Sequence, residues 1–193
     1  MTTRPKIVVS DSSVLMDLAK VGLIEACLAL PFEFVIPDVM IAGELLDLGR
    51  YTAADLVRLG FGAGTLEGAD AQFAIAYFRQ HRRHLSLNDC FAWRLAEVHQ
   101  GILMTGDGNL RKLAGRSGLD VHGALWIIEL MAEHNTSPTA TLLEALDCLD
   151  KDELVRLPRA ALRARKSGHL MMQEFFHSPQ VNTLEQLCHL ASK

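Results

Sequence analysis

The sequence predicts an α/β domain built on a parallel sheet, and three observations predict it. Short apolar, β-branched runs recur at Ile7–Ser10, Phe32–Ile36, Gly101–Thr105 and Leu119–His122, as in strands buried on both faces. Between them lie segments whose apolar residues repeat at helical spacing. Two of the strands are followed at their carboxyl ends by a carboxylate, Asp11 and Asp107. In open α/β sheets ligands gather outside those ends, so two acids placed there point to a site on one rim.

Taken in order, the first strand leads through Asp11 into a helix, with Val14, Leu15 and Leu18 on one stripe, and Gly22 breaks it before a second helix through Ile24 and Leu28. Asp11 or Ser12 is placed to cap the first of these helices as well as to do chemistry. Pro37 stops the second strand, and Asp38 is the expected N-cap of a helix from Val39 to Leu48. Ile41, Leu45 and Leu48 line the core side of that helix, which puts Glu44 on the same stripe and Asp47 on the neighbouring face. A short helix over 52–59 precedes Gly60-Phe-Gly-Ala-Gly64, whose glycines lack the spacing of a phosphate cradle and read as a loop with a short edge strand. The next helix, 69–80, places Ala69, Phe73, Ala76 and Tyr77 on one side and ends in the basic run Arg79-Gln-His-Arg-Arg-His84. Ser86-Leu-Asn-Asp89 then opens a helix in the pattern of a capping box, which gives Asp89 a structural role beside any chemical one. Helices over 110–114, 124–133 and 139–149 follow. The chain is expected to fold as one domain over 1–150 with a basic, helical extension over 151–193 packed on it, including Arg156, Arg159, Arg163, Arg165 and Lys166 and a short helix over 182–190.

The totals bound the function without naming it. A chain of 193 residues, 49% hydrophobic and 22% charged, is long enough to bury a sizeable core as a single domain. The net charge of −4 advertises neither nucleic acid nor membrane, so an anionic partner would need a local basic patch or bound cations. Cys27, Cys90, Cys148 and Cys188 are scattered without a Cys-x-x-Cys pair, which fits reduced core thiols rather than a zinc site or a disulfide framework. No apolar run approaches the roughly 20 residues that span a bilayer, and no signal region precedes the first strand, so a cytoplasmic protein is expected.

Asp11-Ser-Ser after a buried strand, a helical Glu44, Leu85-Ser-Leu-Asn-Asp89 opening a helix and Met104-Thr-Gly-Asp107 after another strand together resemble the PIN-domain nucleases, especially the VapC-type toxins. The likeness covers about Lys6 to Leu149, and its specificity lies in the order and spacing of the four acids. It implies a three-layer α/β/α sandwich around a central, mainly parallel sheet, and an endoribonuclease in which Asp11, Glu44, Asp89 and Asp107 hold Mg²⁺ or Mn²⁺. Carboxylate oxygens are the ligands such hard cations select, and converging acids need a cation to coexist. Ser12 and Thr105 are expected to orient the acids, with Asn109 a weaker ligand or water-holder where some relatives carry a further acid. Arg82, Arg83, Arg111, Lys112 and Arg163 are the candidates to track an RNA backbone. The resemblance also implies a cognate antitoxin, and a homodimer is expected.

A haloacid-dehalogenase-like phosphatase would need a second acid where this chain has Ser13, and the acids and late lysine of a receiver domain are missing. Two alternatives stay open: a PIN-like module that binds RNA or protein without cutting, and a housekeeping RNA-processing nuclease. Metal-dependent cleavage of a mixed RNA pool separates the first from an enzyme.

Overall fold

The computed structural model describes residues 5–43, 48, 51–153, 155 and 157–177, the last of these with side chains to 168. Five strands, β1 (Lys6–Ser10), β2 (Phe32–Pro37), β3 (Gly62–Gly64), β4 (Ile102–Met104) and β5 (Asp120–His122), form one sheet in the order β3-β2-β1-β4-β5. Every pairing is parallel, with Val9 level with Val35 on one side and Leu103 on the other. The chain builds outward from β1 to β3, then returns to the other side of β1 for β4 and β5. Strand order therefore reverses between β1 and β4, which is where a doubly wound sheet opens its crevice.

Helices cover both faces. Val9, Val35 and Leu103 pack with residues of α5 (Gly68–His81), α6 (Leu87–Val98) and α7 (Gly108–Arg116), among them Ala74, Cys90, Leu95 and Leu110. The alternate residues Val8, Phe34, Ile36, Ile102 and Met104 are equally buried and, by the period of a strand, face the opposite layer. That layer contains α1 (Ser12–Lys20), α2 (Ile24–Leu28) and α8 (Ala124–Glu133), which touch one another, and Trp126 of α8 lies 5.9 Å from the Phe32 ring. The result is the three-layer α/β/α arrangement. At the edge, α4 (Ala53–Leu59) starts with a capping box between Thr52 and Asp55 and delivers the chain to β3. A Cβ at Gly64 would collide with Leu95 and Val35, so the glycine-rich stretch is what lets α6 sit close over the edge strand.

Three expectations change. In α5 the core-facing residue is Ala74, with Ala71, Ile75, Tyr77 and Phe78 partly buried, whereas Ala69, Phe73 and Ala76 are exposed. Alanine and phenylalanine are both apolar to a periodicity count, and the count does not tell which of them the neighbouring elements cover: Phe73 touches Trp93 of α6 with one side and stays exposed on the other. In α3 (Asp38–Gly43) Met40 is fully buried and Ile41 half-buried, and Asp38 is the first helical residue rather than the residue before it. Cys148 is exposed, unlike the buried Cys27 and Cys90. Glu44, Leu45, Asp47, Arg156, Cys188 and the helix expected over 182–190 lie outside the described residues.

By its internal contacts the chain divides into two units, 1–137 and 138–193. The second pairs α9 (Thr139–Lys151) with α10 (Arg159–His177). Lys166 Nζ reaches Asp147 Oδ1 at 2.6 Å, while Arg159 donates to the Leu149, Asp150 and Asp152 carbonyls at the end of α9. Arg159 thus satisfies helix-terminal acceptors, and Lys166 a side-chain carboxylate, within their own unit. Among the described residues no helix is long and apolar enough to cross a membrane.

Candidate active site

Asp11 follows β1 as the N-cap of α1, at the crevice between β1 and β4, and only 4% of it is exposed. Its backbone N–H donates to the Met104 carbonyl at 3.0 Å, which locks the strand end to the end of β4. Its carboxylate accepts from Ser13 Oγ at 2.7 Å and Val14 N at 3.2 Å on Oδ1, and from Thr105 Oγ1 on Oδ2.

The direction of the two hydroxyl protons follows from their other partners. Gly106 N–H donates into Ser13 Oγ at 2.9 Å, and Asp107 N–H donates into Thr105 Oγ1 at 3.0 Å. Each hydroxyl has one proton. With an N–H arriving from behind, that proton is directed at Asp11. The turn after β4 thus sets the polarity of both donors and presents Asp11 with an acceptor's environment. Thr105 itself is fully buried: its N–H donates to the His122 carbonyl at 2.8 Å and its carbonyl accepts from Arg111 Nη2 at 2.8 Å. A Cβ at Gly106 would come within 3.0 Å of Ser13 Oγ, so glycine keeps that bridge short.

Burial is the largest influence on Asp11 and raises its pKa above the ordinary carboxylate value; the three hydrogen bonds pull it down, and the charge of Asp89 pushes it up. Asp89 sits in the first turn of α6, where Ser86 and Asp89 form a complete capping box, Ser86 N to Asp89 Oδ2 at 2.7 Å and Asp89 N to Ser86 Oγ at 3.0 Å. Burial, with the field of Asp89 added to it, also drives the Cys90 thiol up to about 12, which keeps that sulfur protonated and unreactive. Asp107 caps α7: Asn109 N and Leu110 N both converge on its Oδ1 at 2.8 Å. Asp89 and Asp107 therefore both do the capping work that their sequence contexts allow. Asp11 lies in the field of the first and one hydroxyl away from the second.

Carboxylate oxygens backed by hydroxyls, without a thiolate or imidazole among them, are a donor set for a hard divalent cation rather than for zinc. The buried Asp11 in the field of a second carboxylate is also what a cation would relieve. Among the described residues no group of three or more His, Cys, Asp or Glu is close enough to hold a metal, and Glu44, the fourth expected acid, lies outside them.

The remaining expected residues separate. The hydroxyl that orients Asp11 belongs to Ser13, not Ser12, because the second helical residue reaches back over the N-cap while Ser12 is the first. Ser13 was visible in the sequence only as the residue that fills the position of a phosphatase's second acid. Asn109 uses its Nδ2 to hold the His84 carbonyl at 3.2 Å, which ties the turn carrying exposed Arg82 and Arg83 to the head of α7. Arg111 is exposed yet donates to the Val121 and Thr105 carbonyls, bracing the rim of β4 and β5. Lys112 is exposed on α7. Arg163 is on α10 in the second unit, 3.8 Å from Asp150.

The family model described as "DUF3368: PIN domain" matches residues 7–167. No curated protein and no solved structure matches the chain.

Proposed function

The chain belongs to the PIN-domain family, whose members are generally nucleases that typically use divalent metals, and from that premise we propose that it is a Mg²⁺- or Mn²⁺-dependent endoribonuclease. The observation that carries the reading is Asp11, buried at the point where strand order reverses and held by two hydroxyls whose protons the Asp107 turn directs at it. Asp11, Asp89 and Asp107, together with Glu44, are the residues that would hold the metal. A divalent cation so bound supplies an ionised water and neutralises phosphate oxygens. The protein's own contribution is to keep Asp11 oriented, to exclude water from one side of it through β1 and β4, and to set Asp89 and Asp107 on rigid helix starts. Exposed Arg82 and Arg83 beside the acidic rim are placed to meet the phosphates flanking the cut.

The test is cleavage of a mixed RNA pool with Mg²⁺ or Mn²⁺, with chelator, and with Asp11→Asn. Cleavage that disappears in the last two samples is expected. Cleavage that survives chelation would overturn the metal dependence. The capping bonds of Asp89 and Asp107 favour a second reading, an RNA-binding module that does not cut, and binding without cleavage under every metal would select it. A toxin role rests on the resemblance of the four acids alone; a short antitoxin frame beside this one, and a homodimer in solution, are its expected signs.

A further inference from the structure

We propose that the aromatic row Phe73, Tyr77 and His81 on α5, with the basic turn that ends it, is a stacking track that leads single-stranded RNA to the acidic rim; this rests on the RNA substrate proposed above. The three residues are spaced four apart and so share one stripe of the helix, about 12 Å from first to last at the helical rise. Tyr77 and His81 are stacked, with centroids 4.0 Å apart and planes 6° from parallel, and the Phe73 ring lies 6.2 Å from Tyr77. Phe73 is 45% exposed. Within the row Tyr77 also packs against the core, as Ala71, Ala74, Ile75 and Phe78 do, and Phe73 is its exposed end.

The rings are held from beneath. Trp93 of α6 is 5% exposed and lies 4.9 Å from Tyr77 and 5.8 Å from Phe73, while the Arg94 guanidinium covers one face of Phe73 at 5.0 Å. Arg94 is itself fixed by Asp70 and Glu97, so those two acids beside the row are paired. A preorganised ring loses little entropy when a base stacks on it.

Charge and position choose the occupant. Exposed Arg79, Arg82 and Arg83 crowd the carboxyl end of α5, and the intervening outward positions of the helix, Gln72, Ala76 and Gln80, offer no aliphatic ridge for a protein helix. Cations flanking aromatic faces are what a single strand uses, since its bases are free to stack and its phosphates need neutralising. Asn109 fastens the turn at His84 to α7, and α6 begins with Ser86 and Asp89 just beyond it, so the row runs toward the acids.

The test uses the full chain in chelator, where binding is read without cleavage. Anisotropy would follow a single-stranded oligoribonucleotide, the same strand made abasic, and a duplex, across a salt series. Phe73→Leu is expected to weaken the single strand by about tenfold at every salt concentration and to leave the abasic strand and the duplex unchanged, while Phe73→Tyr restores binding. Arg82→Ala is expected to lower the slope of log affinity against log salt by about one for all three. Wild-type affinity in Phe73→Leu, an equal loss with the abasic strand, or no rescue by tyrosine overturns the track. Asp11→Asn cleavage decides the nuclease reading separately, because stacking in chelator does not depend on it.

Discussion

Asp11 stands between opposing demands: three donors favour its anion, while burial and Asp89 favour its proton and win. A folded-state pKa raised above the unfolded value makes the protonated form the stabilising one. That contribution is complete below the ordinary carboxylate range and is lost as pH climbs through the raised value. In metal-free buffer Asp11→Asn should therefore melt at or above the wild type at neutral pH, and the difference should vanish in acid; thermal melts across pH check this, and collapse of the variant at neutral pH would mean that the cap outweighs the charge. Added Mn²⁺ should raise the melting of the wild type alone, by about 2.7 kcal/mol of stability at a hundredfold excess over its Kd. Ser13→Ala removes one donor from Asp11 and strands the Gly106 N–H. Its expected signature is a loss of about 10- to 100-fold in metal affinity or turnover, with recovery in Ser13→Thr, read by Mn²⁺ titration and single-turnover cleavage. A uniform loss of melting temperature with unchanged chemistry would reduce Ser13 to a structural bridge.

At the scale of elements, the acids serve two purposes, and substitution can part them. Asparagine caps a helix as well as aspartate, so Asp107→Asn should hold α7 and lose only the charge, whereas Asp107→Ala should also cost about 1 kcal/mol of stability. An Asn variant that is inactive yet melts like the wild type assigns the charge to chemistry; full activity in it would leave Asp107 a cap and nothing more. In the second unit, Lys151 and Lys166 hold Asp147 down to about 2, which couples α9 to α10 through the Lys166 bond. A depressed carboxylate stabilises the fold above its unfolded value, and the effect fades as pH falls toward about 2. Amide protection factors in α9, corrected for intrinsic exchange, should fall across that acid window in the wild type and stay level in Asp147→Asn.

For the whole molecule, a net charge of −4 repels a polyanion at long range, so recruitment has to be local. Screening within about 10 Å at moderate salt isolates the Arg82 and Arg83 turn from distant acids. Arg111 is a useful contrast, since both its terminal nitrogens donate to carbonyls of the rim. Arg111→Ala is expected to lower thermal stability by about 1 kcal/mol and leave the salt slope of RNA binding unchanged, the opposite of Arg82→Ala. A slope that falls in Arg111→Ala would put its guanidinium on the RNA instead.

By itself the sequence determined the strands, their parallel sense and the rim that carries Asp11 and Asp107, because buried strands and the acids that follow them are local signals in the chain. It also placed Asp89 in a capping box, since Ser86 and Asp89 are three residues apart. Only the tertiary structure decided which way the Ser13 hydroxyl serves Asp11, because its second partner, Gly106, is remote in sequence and meets it only when β1 pairs with β4. The same holds for α5, where a periodicity count cannot tell which apolar residues the fold buries, Ala74, and which it leaves exposed, Phe73. It holds again for Arg111, an exposed cation by composition and a brace by geometry. Local patterning fixes what a segment is, while the pairing of distant segments fixes what each side chain has left to do.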